Sequence, residues 1–195
     1  TAAYRASLKL APFSETAARL HTALLAAKKP ADADRLAADW TKGNPKDASF
    51  QYFLGDVALA QNDMPRAEAR YRGVLDMQPD NALAMNNVAW LLAKQGKPGA
   101  LAMAQKANQL LPDRAPLIDT LSMALESENK LPEAIEAQKR AITLEPRDPG
   151  LTLRLAKLYI KVGDKTRARG ELDALSKLGD KFAGQPEVAQ LMNSL

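Results

Sequence analysis

The chain carries one imidazole, His21, and no thiol. Thiolate nucleophiles, disulfides, cysteine-based zinc sites and a two-histidine metal site are therefore excluded. Its carboxylates come in close pairs, Glu126/Glu128 and Glu133/Glu136. Those spacings lie on helix surfaces, where glutamate is simply a good helix former. No glycine-rich phosphate loop follows a strand, and no Ser/His/Asp set can be assembled. His21 reads as a packing misfit or a partly exposed residue rather than a base. The basic residues are more suggestive. Arg154, Lys157 and Lys161 fall at i, i+3 and i+7, one face of a helix. Such a stripe can hold a carboxylate or an acidic polymer. The plainer reading is a solvated face beside an acidic neighbour, since residues 115–148 have net charge −3 and residues 149–195 net charge +3.

The elements that must position these side chains are helices. The 195 residues include 36 Ala and 29 Leu against 5 Val and 4 Ile, which favours helix formers over the β-branched residues that fill strands. With 5% aromatic residues, packing relies on small and aliphatic side chains. The net charge of +4 is too mild to mark a nucleic-acid-binding chain. No apolar run approaches the roughly 18 residues of a membrane span, and residue 1 does not begin a signal peptide.

An internal period organises the helices. Pro12, Pro45, Pro79, Pro112 and Pro146 are spaced by 33, 34, 33 and 34 residues. Twelve positions before each of the last four stands an alanine: Ala33, Ala67, Ala100 and Ala134. Ala168 continues the series, with Asp180 where the next proline would fall. The first helix of each unit places Leu20, Leu54, Val88, Leu121 and Leu155 at one position and His21, Gly55, Ala89, Ser122 and Ala156 at the next. Leu24, Ala58, Leu92, Leu125 and Tyr159 follow three residues on. An apolar i/i+4 pair with a small residue beside it describes a face that another helix approaches closely. The second helix has the recurring alanine and, four residues on, Ala37, Tyr71, Ala104, Gln138 or Leu172. Turns are marked at Lys28-Lys29-Pro30, Asn62-Asp63, Gly96-Lys97-Pro98, Asn129-Lys130 and Gly163-Asp164. The timed prolines then close the second helix.

This pattern resembles the tetratricopeptide repeat, W-x2-L-G-x2-Y, A-x3-F and a closing P over 34 residues. The fullest copy is 48–81, with Leu54-Gly55, Ala67-x3-Tyr71 and Pro79. Five units follow: 14–47, 48–81, 82–114, 115–148 and 149–180. Residues 1–13 align with the second half of a second helix, Tyr4 matching Tyr71, Leu10 matching Leu110 and Pro12 matching Pro79. The chain is therefore expected to be a piece of a longer array. At the other end, Pro186, Val188, Leu191, Met192 and Leu195 give an expected capping helix within 181–195. The fold class is all-α, a right-handed superhelical solenoid of antiparallel helix pairs. His21 departs from the small residue the family wants there.

The resemblance implies a concave face lined by first-helix side chains. Carried onto this chain, it singles out Tyr52, Asn86, Trp90, Asp119 and Met123, with Asp56, Lys157 and Lys161 also facing the groove. An aromatic beside an amide and a carboxylate suits a peptide: the ring supplies area, and the polar groups satisfy backbone donors and acceptors. Alternatively, Trp90 and Met123 belong to the core between repeats, and the polar residues are merely solvated. Asn87 reads as structural. The family's clamp for a C-terminal carboxylate is present only in fragments and is not expected. An RNA code is also absent, because the fifth position of each unit reads Ala18, Tyr52, Asn86, Asp119 and Leu153.

The segment Asn86-Asn87-Val88-Ala89-Trp90-Leu91-Leu92, with Leu117-Ile118-Asp119-Thr120-Leu121 and 163–169, is similar to bacterial tetratricopeptide lipoproteins. Those accompany exosortase (PEP-CTERM) sorting and exopolysaccharide export. That similarity implies a periplasmic protein anchored to the outer membrane by a lipidated cysteine outside this chain; the alternative compartment is the cytoplasm. The expected function is a non-enzymatic scaffold that holds a protein or peptide segment in its groove, with no cofactor, metal or nucleic acid. A module binding an acidic exopolysaccharide, or a spacer without ligand, is the alternative.

Overall fold

A computed structural model describes residues 2–3 and 13–195. The expected half-helix at Tyr4, Leu10 and Pro12 lies outside the described residues. From Ser14 onward the chain runs helix, short turn, helix. The helices are α1 (Ser14–Ala26), α2 (Pro30–Gly43), α3 (Ala48–Ala60), α4 (Met64–Met77), α5 (Ala82–Lys94), α6 (Ala100–Leu110), α7 (Ala115–Ser127), α8 (Leu131–Leu144), α9 (Pro149–Lys161), α10 (Lys165–Ser176) and α11 (Gln185–Asn193). No strand is present among the described residues. The helices gather into two compact units divided between Ala84 and Met85, inside α5.

The recurring residues have recurring physical work. Ala33, Ala67, Ala134 and Ala168 are fully buried and Ala100 is 2% exposed, so each sits where no larger side chain fits. The timed prolines stand two residues beyond the last residue of α2, α4, α6 and α8. A proline cannot supply the next ladder N–H, and it drives its predecessor out of helical geometry. Asp180 imposes neither restriction, and the chain passes through a 3-10 turn at Gly179–Lys181 instead. Between paired helices, the equivalent residues Lys28, Asn62, Gly96, Asn129 and Gly163 all have positive φ, from 56° to 82°. The following residue donates its N–H back across the last turn, as Lys29 does to Leu24, Asp63 to Ala58 and Asp164 to Tyr159. Glycine and asparagine tolerate this left-handed conformation. Lys28 occupies it at a cost of about 1 kcal/mol.

The third pair is one residue shorter, and the deletion has a definite location. α2, α4, α8 and α10 each begin three residues before the recurring alanine, whereas α6 begins at Ala100 itself, after Gly99 with φ 91°. The helix gives up its first turn, and the buried alanine stays twelve residues ahead of Pro112.

In the first unit, Ala17, Ala37, Trp40, Phe50 and Leu54 form one core cluster, with Phe53 packed against it. Asp47 pins three helices together. Its carboxylate accepts from the Ser14 hydroxyl at 2.6 Å, the Trp40 indole N–H at 2.8 Å and the Phe50 N–H at 3.0 Å, where it caps α3. Of the two expectations for His21, partial exposure is corrected, whereas a packing misfit fits its buried Nδ1, which has no hydrogen-bond partner. The residue is 2% exposed, and its ring meets Phe53 edge-on at 5.4 Å. In the next repeat Gly55 and Tyr71 stand where the first has His21 and Ala37, so the large and small partners have exchanged places. Burial holds the His21 imidazole below its usual pKa, partly offset by the Asp34 charge.

In the second unit, Ala115, Ile118, Ala141 and Leu151 form one cluster. Leu153, Ala156, Leu172, Leu175 and Val188 form another. Val188 comes from α11 and is 1% exposed, with Leu191, Met192 and Leu195 partly buried beside it. The last helix thus covers the apolar face of α9 and α10.

Candidate functional site

The eight singled-out residues divide between the two units. Tyr52 and Asp56 lie on α3 in the first, and both are tied to one ring. Gly55 leaves a space that a Cβ would close to 2.6 Å from the Tyr71 ring, so the fully buried Tyr71 wedges against the bare backbone of α3. Tyr52 meets that ring edge-on at 5.3 Å and packs partly against Ala48, Val74 and Ala84. The Tyr71 hydroxyl donates to Asp56 Oδ1 at 2.6 Å, while Asp56 itself stays exposed. Phe53, not among the expected site residues, lines an apolar recess with Ala18, Thr22, Ala23 and Ala26, with the Glu15–Arg19 pair at its edge. Its position just after Tyr52 was the available signal.

In the second unit, Asn86 and Trp90 are half-buried on α5, one turn apart. The Lys94 ammonium lies 4.7 Å above the Trp90 ring, a cation–π contact that leaves the indole neither core nor free surface. Asn86 Oδ1 is shielded from water and has no hydrogen-bond donor. Met123 is half-buried on α7.

Asp119, also on α7, belongs to a network that reaches α8 and α9. It accepts from Gln138 Nε2 at 2.9 Å and lies 3.5 Å from Arg154 Nε. Gln138 is fully buried and donates as well to the Leu151 carbonyl at 3.1 Å. Burial raises the Asp119 carboxyl pKa above its usual value, against the opposing pull of the Gln138 donor and the Arg154 charge.

The basic stripe is paired rather than bare. Arg154 reaches Glu126 at 2.7 Å, Lys161 reaches the same carboxylate at 3.1 Å, and Lys157 pairs with Glu187 of α11 at 2.7 Å. Glu126, one of the closely spaced carboxylate pair expected on a helix surface, is thus a bridge between two cations. The other member, Glu128, pairs locally with Lys130. No group of three or more His, Asp or Glu residues able to hold a metal occurs among the described residues. No helix among them is long and apolar enough to cross a membrane. What the described residues offer here is aromatic area, amides and already paired charges.

Comparison with known proteins agrees with this architecture. Two family models described as tetratricopeptide repeat match the chain, one over residues 19–71 and 58–115 and the other over 125–195. A TPR repeat-containing protein of Pseudomonas aeruginosa is 28% identical over 109 residues, which are 54% of this chain and 18% of that protein. Cellulose synthase operon protein C of Pseudomonas fluorescens is 26% identical over 163 residues, 77% of this chain and 12% of the relative. The chain therefore spans under a fifth of either relative. Among solved structures, MamA of Desulfovibrio magneticus RS-1 superposes with a TM-score of 0.74 at 20% identity, covering 87% of this chain and 97% of that one. YrrB, titled a TPR protein with an unusual peptide-binding site, gives 0.72 at 16% identity, covering 99% and 98%. At these identities the likeness concerns the fold: all-α, built of stacked helix pairs.

Proposed function

The chain belongs to the tetratricopeptide repeat family, and on that footing we propose that it is a non-enzymatic scaffold binding a segment of a partner protein through Asn86, Trp90 and their neighbours on the first helices. A fold of this kind implies protein–protein interaction. The observation that carries the particular site is Asn86. Its shielded oxygen lacks a donor one turn from a half-buried tryptophan. An unmet buried acceptor costs about 1–3 kcal/mol, which a turn of the Asn86 amide toward a backbone N–H laid along the helix would recover. Asp119 and Met123 extend the proposed contact surface within the second unit, with Lys157 and Lys161 answering to charge, while Tyr52 and Asp56 offer a contact surface of their own on α3 of the first.

The setting we propose is a bacterial cell-envelope assembly for exopolysaccharide export or protein sorting, with the protein in the periplasm and anchored at the outer membrane. The relative named for a cellulose synthase operon supports the envelope setting. The resemblance to exosortase-associated lipoproteins supports the rest. Direct binding of an acidic polysaccharide is less favoured, because Lys157 and Lys161 already face Glu187 and Glu126.

The test is capture from native envelope with the full-length protein, followed by mass spectrometry, for wild type, Asn86→Ala and Trp90→Ala. The expected result is that the partner is lost in both variants while helical circular dichroism and Tm stay nearly unchanged. Undiminished capture would reject the site. Loss of fold in Trp90→Ala would make that residue core.

A further inference from the structure

A recess on the first unit has the making of a second, separate binding site. α4 carries Arg66, Ala69, Arg70, Gly73, Asp76 and Met77 along one face, and together with Pro45 and Gln51 they line an open hollow. Arg66 and Arg70 are one turn apart, close enough to repel. Arg66 pairs with Asp34 at 3.3 Å, and both side chains are exposed, so the pair is readily exchanged. Arg70 is half-buried, and its one hydrogen bond is to a neutral acceptor, Gln51 Oε1, at 2.8 Å. Among the described residues no carboxylate neutralises it. Burial and the neighbouring Arg66 charge both push its pKa down, the sign of a cation held without its counter-charge.

Gly73 is the second observation. Glycine inside a helix costs about 0.5–1 kcal/mol relative to alanine, and helix packing often explains such a residue. Here a Cβ would meet nothing within 4 Å, so packing does not require it. Its absence deepens the hollow next to Arg70.

We propose that this recess binds a single side-chain carboxylate, Asp or Glu, from a segment of a partner protein, gripped by the guanidiniums of Arg66 and Arg70. Guanidinium and carboxylate match as planar, bidentate partners. Met77, Pro45, Ala69 and the bare Gly73 accept the methylenes behind the carboxylate. Asp76, about 9 Å along the axis from Arg70, closes the recess with negative charge. It repels a polyanion, which favours an isolated acid over a polyuronate. The site lies on a second helix of the first unit and is independent of the Asn86 and Trp90 reading.

The probe is the blocked pentapeptide Ac-Ala-Leu-Glu-Leu-Ala-NH2, with its Gln counterpart and alginate as the other arms. It is titrated into the 15N-labelled chain by NMR and calorimetry. The Glu peptide is expected to shift the Arg70 Nε–H and Gly73 amide signals, with the Gln peptide at least about tenfold weaker. Arg70→Gln should lower affinity at least about tenfold, whereas Arg70→Lys keeps part of it. Gly73→Leu should fill the hollow and abolish binding while Tm holds or rises, which separates loss of the site from loss of the fold. Equal binding of the Gln peptide, unchanged affinity in Arg70→Gln or Gly73→Leu, or tighter binding of alginate through the same signals would each overturn the proposal.

Discussion

The second and fourth repeats close the same helix–helix seam in opposite ways. Where the second has Gly55 and Tyr71, the fourth has Ser122 and Gln138, all four buried. In the second repeat a ring fills the space that a missing Cβ leaves, and its hydroxyl escapes to the exposed Asp56. In the fourth, the Ser122 hydroxyl donates to the Ala134 carbonyl at 2.9 Å, and Gln138 spans to Asp119 and Leu151. One seam is held by volume and the other by directed hydrogen bonds. The second solution keeps polar groups in the interior and leaves Gln138 Oε1 with no donor. The backbone plan therefore fixes that the seam must be filled, and leaves open whether shape or polarity fills it.

The largest test of this contrast is truncation. Tyr71→Ala removes a fully buried ring and is expected to cost ~3–5 kcal/mol, whereas Gln138→Ala should cost ~1–3 kcal/mol. Urea unfolding followed by circular dichroism would measure both. A Gln138 loss as large as the tyrosine loss would erase the distinction.

A smaller effect probes the wedge itself. Gly55→Ala sets a methyl group where the Tyr71 ring lies, for an expected loss of ~1–3 kcal/mol. In the Tyr71→Ala background the same change should be nearly neutral or stabilising, because the ring is gone and alanine favours helix. Simple additivity of the two losses would show that the ring and the glycine are not partners.

The smallest effect is in pH. Burial raises the folded pKa of Asp119, so its ionised form is disfavoured in the native state above that pKa. The penalty fades as pH falls through the folded pKa toward the ordinary aspartate value of 3.8, below which folded and unfolded chains both hold the proton. Asp119→Asn should therefore have a higher Tm than wild type at neutral pH, with the gap closing on acidification. Asp47 has the opposite sign. Burial alone would raise it, but donated hydrogen bonds from Ser14, Phe50, Trp40 and Ser49 outweigh burial and lower its pKa. Its contribution is present above 3.8 and is lost as pH falls through the folded value. Asp47→Asn should accordingly have a lower Tm than wild type at neutral pH, with that gap also closing in acid. A constant gap in either variant would remove the charge from the explanation.

Fold and family were legible because their signals are local and repeated. The buried alanines, the proline stops and the turn residues each recur at a fixed place, and five copies outweigh the defects of any one. The site was less legible because its pairings cross repeats. Arg154 and Glu126 are 28 residues apart, and Lys161 and Glu126 are 35 apart. Nothing in linear spacing distinguishes Glu126, which bridges two cations, from Glu128, which pairs with Lys130. The full burial of His21 was hidden for a related reason. A position that calls for a small residue accepts a large one when its opposite number, Ala37, is small, and the period shows the positions without the exchange. Asp47 precedes Ala48-Ser49-Phe50 as an N-cap would, yet its hold on Ser14 and Trp40 depends on how α1 and α2 fold back upon it.

The short third pair carries a lesson about how such chains drift in length. One residue is missing, and the loss falls at the start of α6 while Ala100 and Pro112 keep their register. The turn and the first helical turn after it act as slack in an otherwise geared mechanism. Insertions and deletions can accumulate there without stripping the teeth that mesh one repeat with the next.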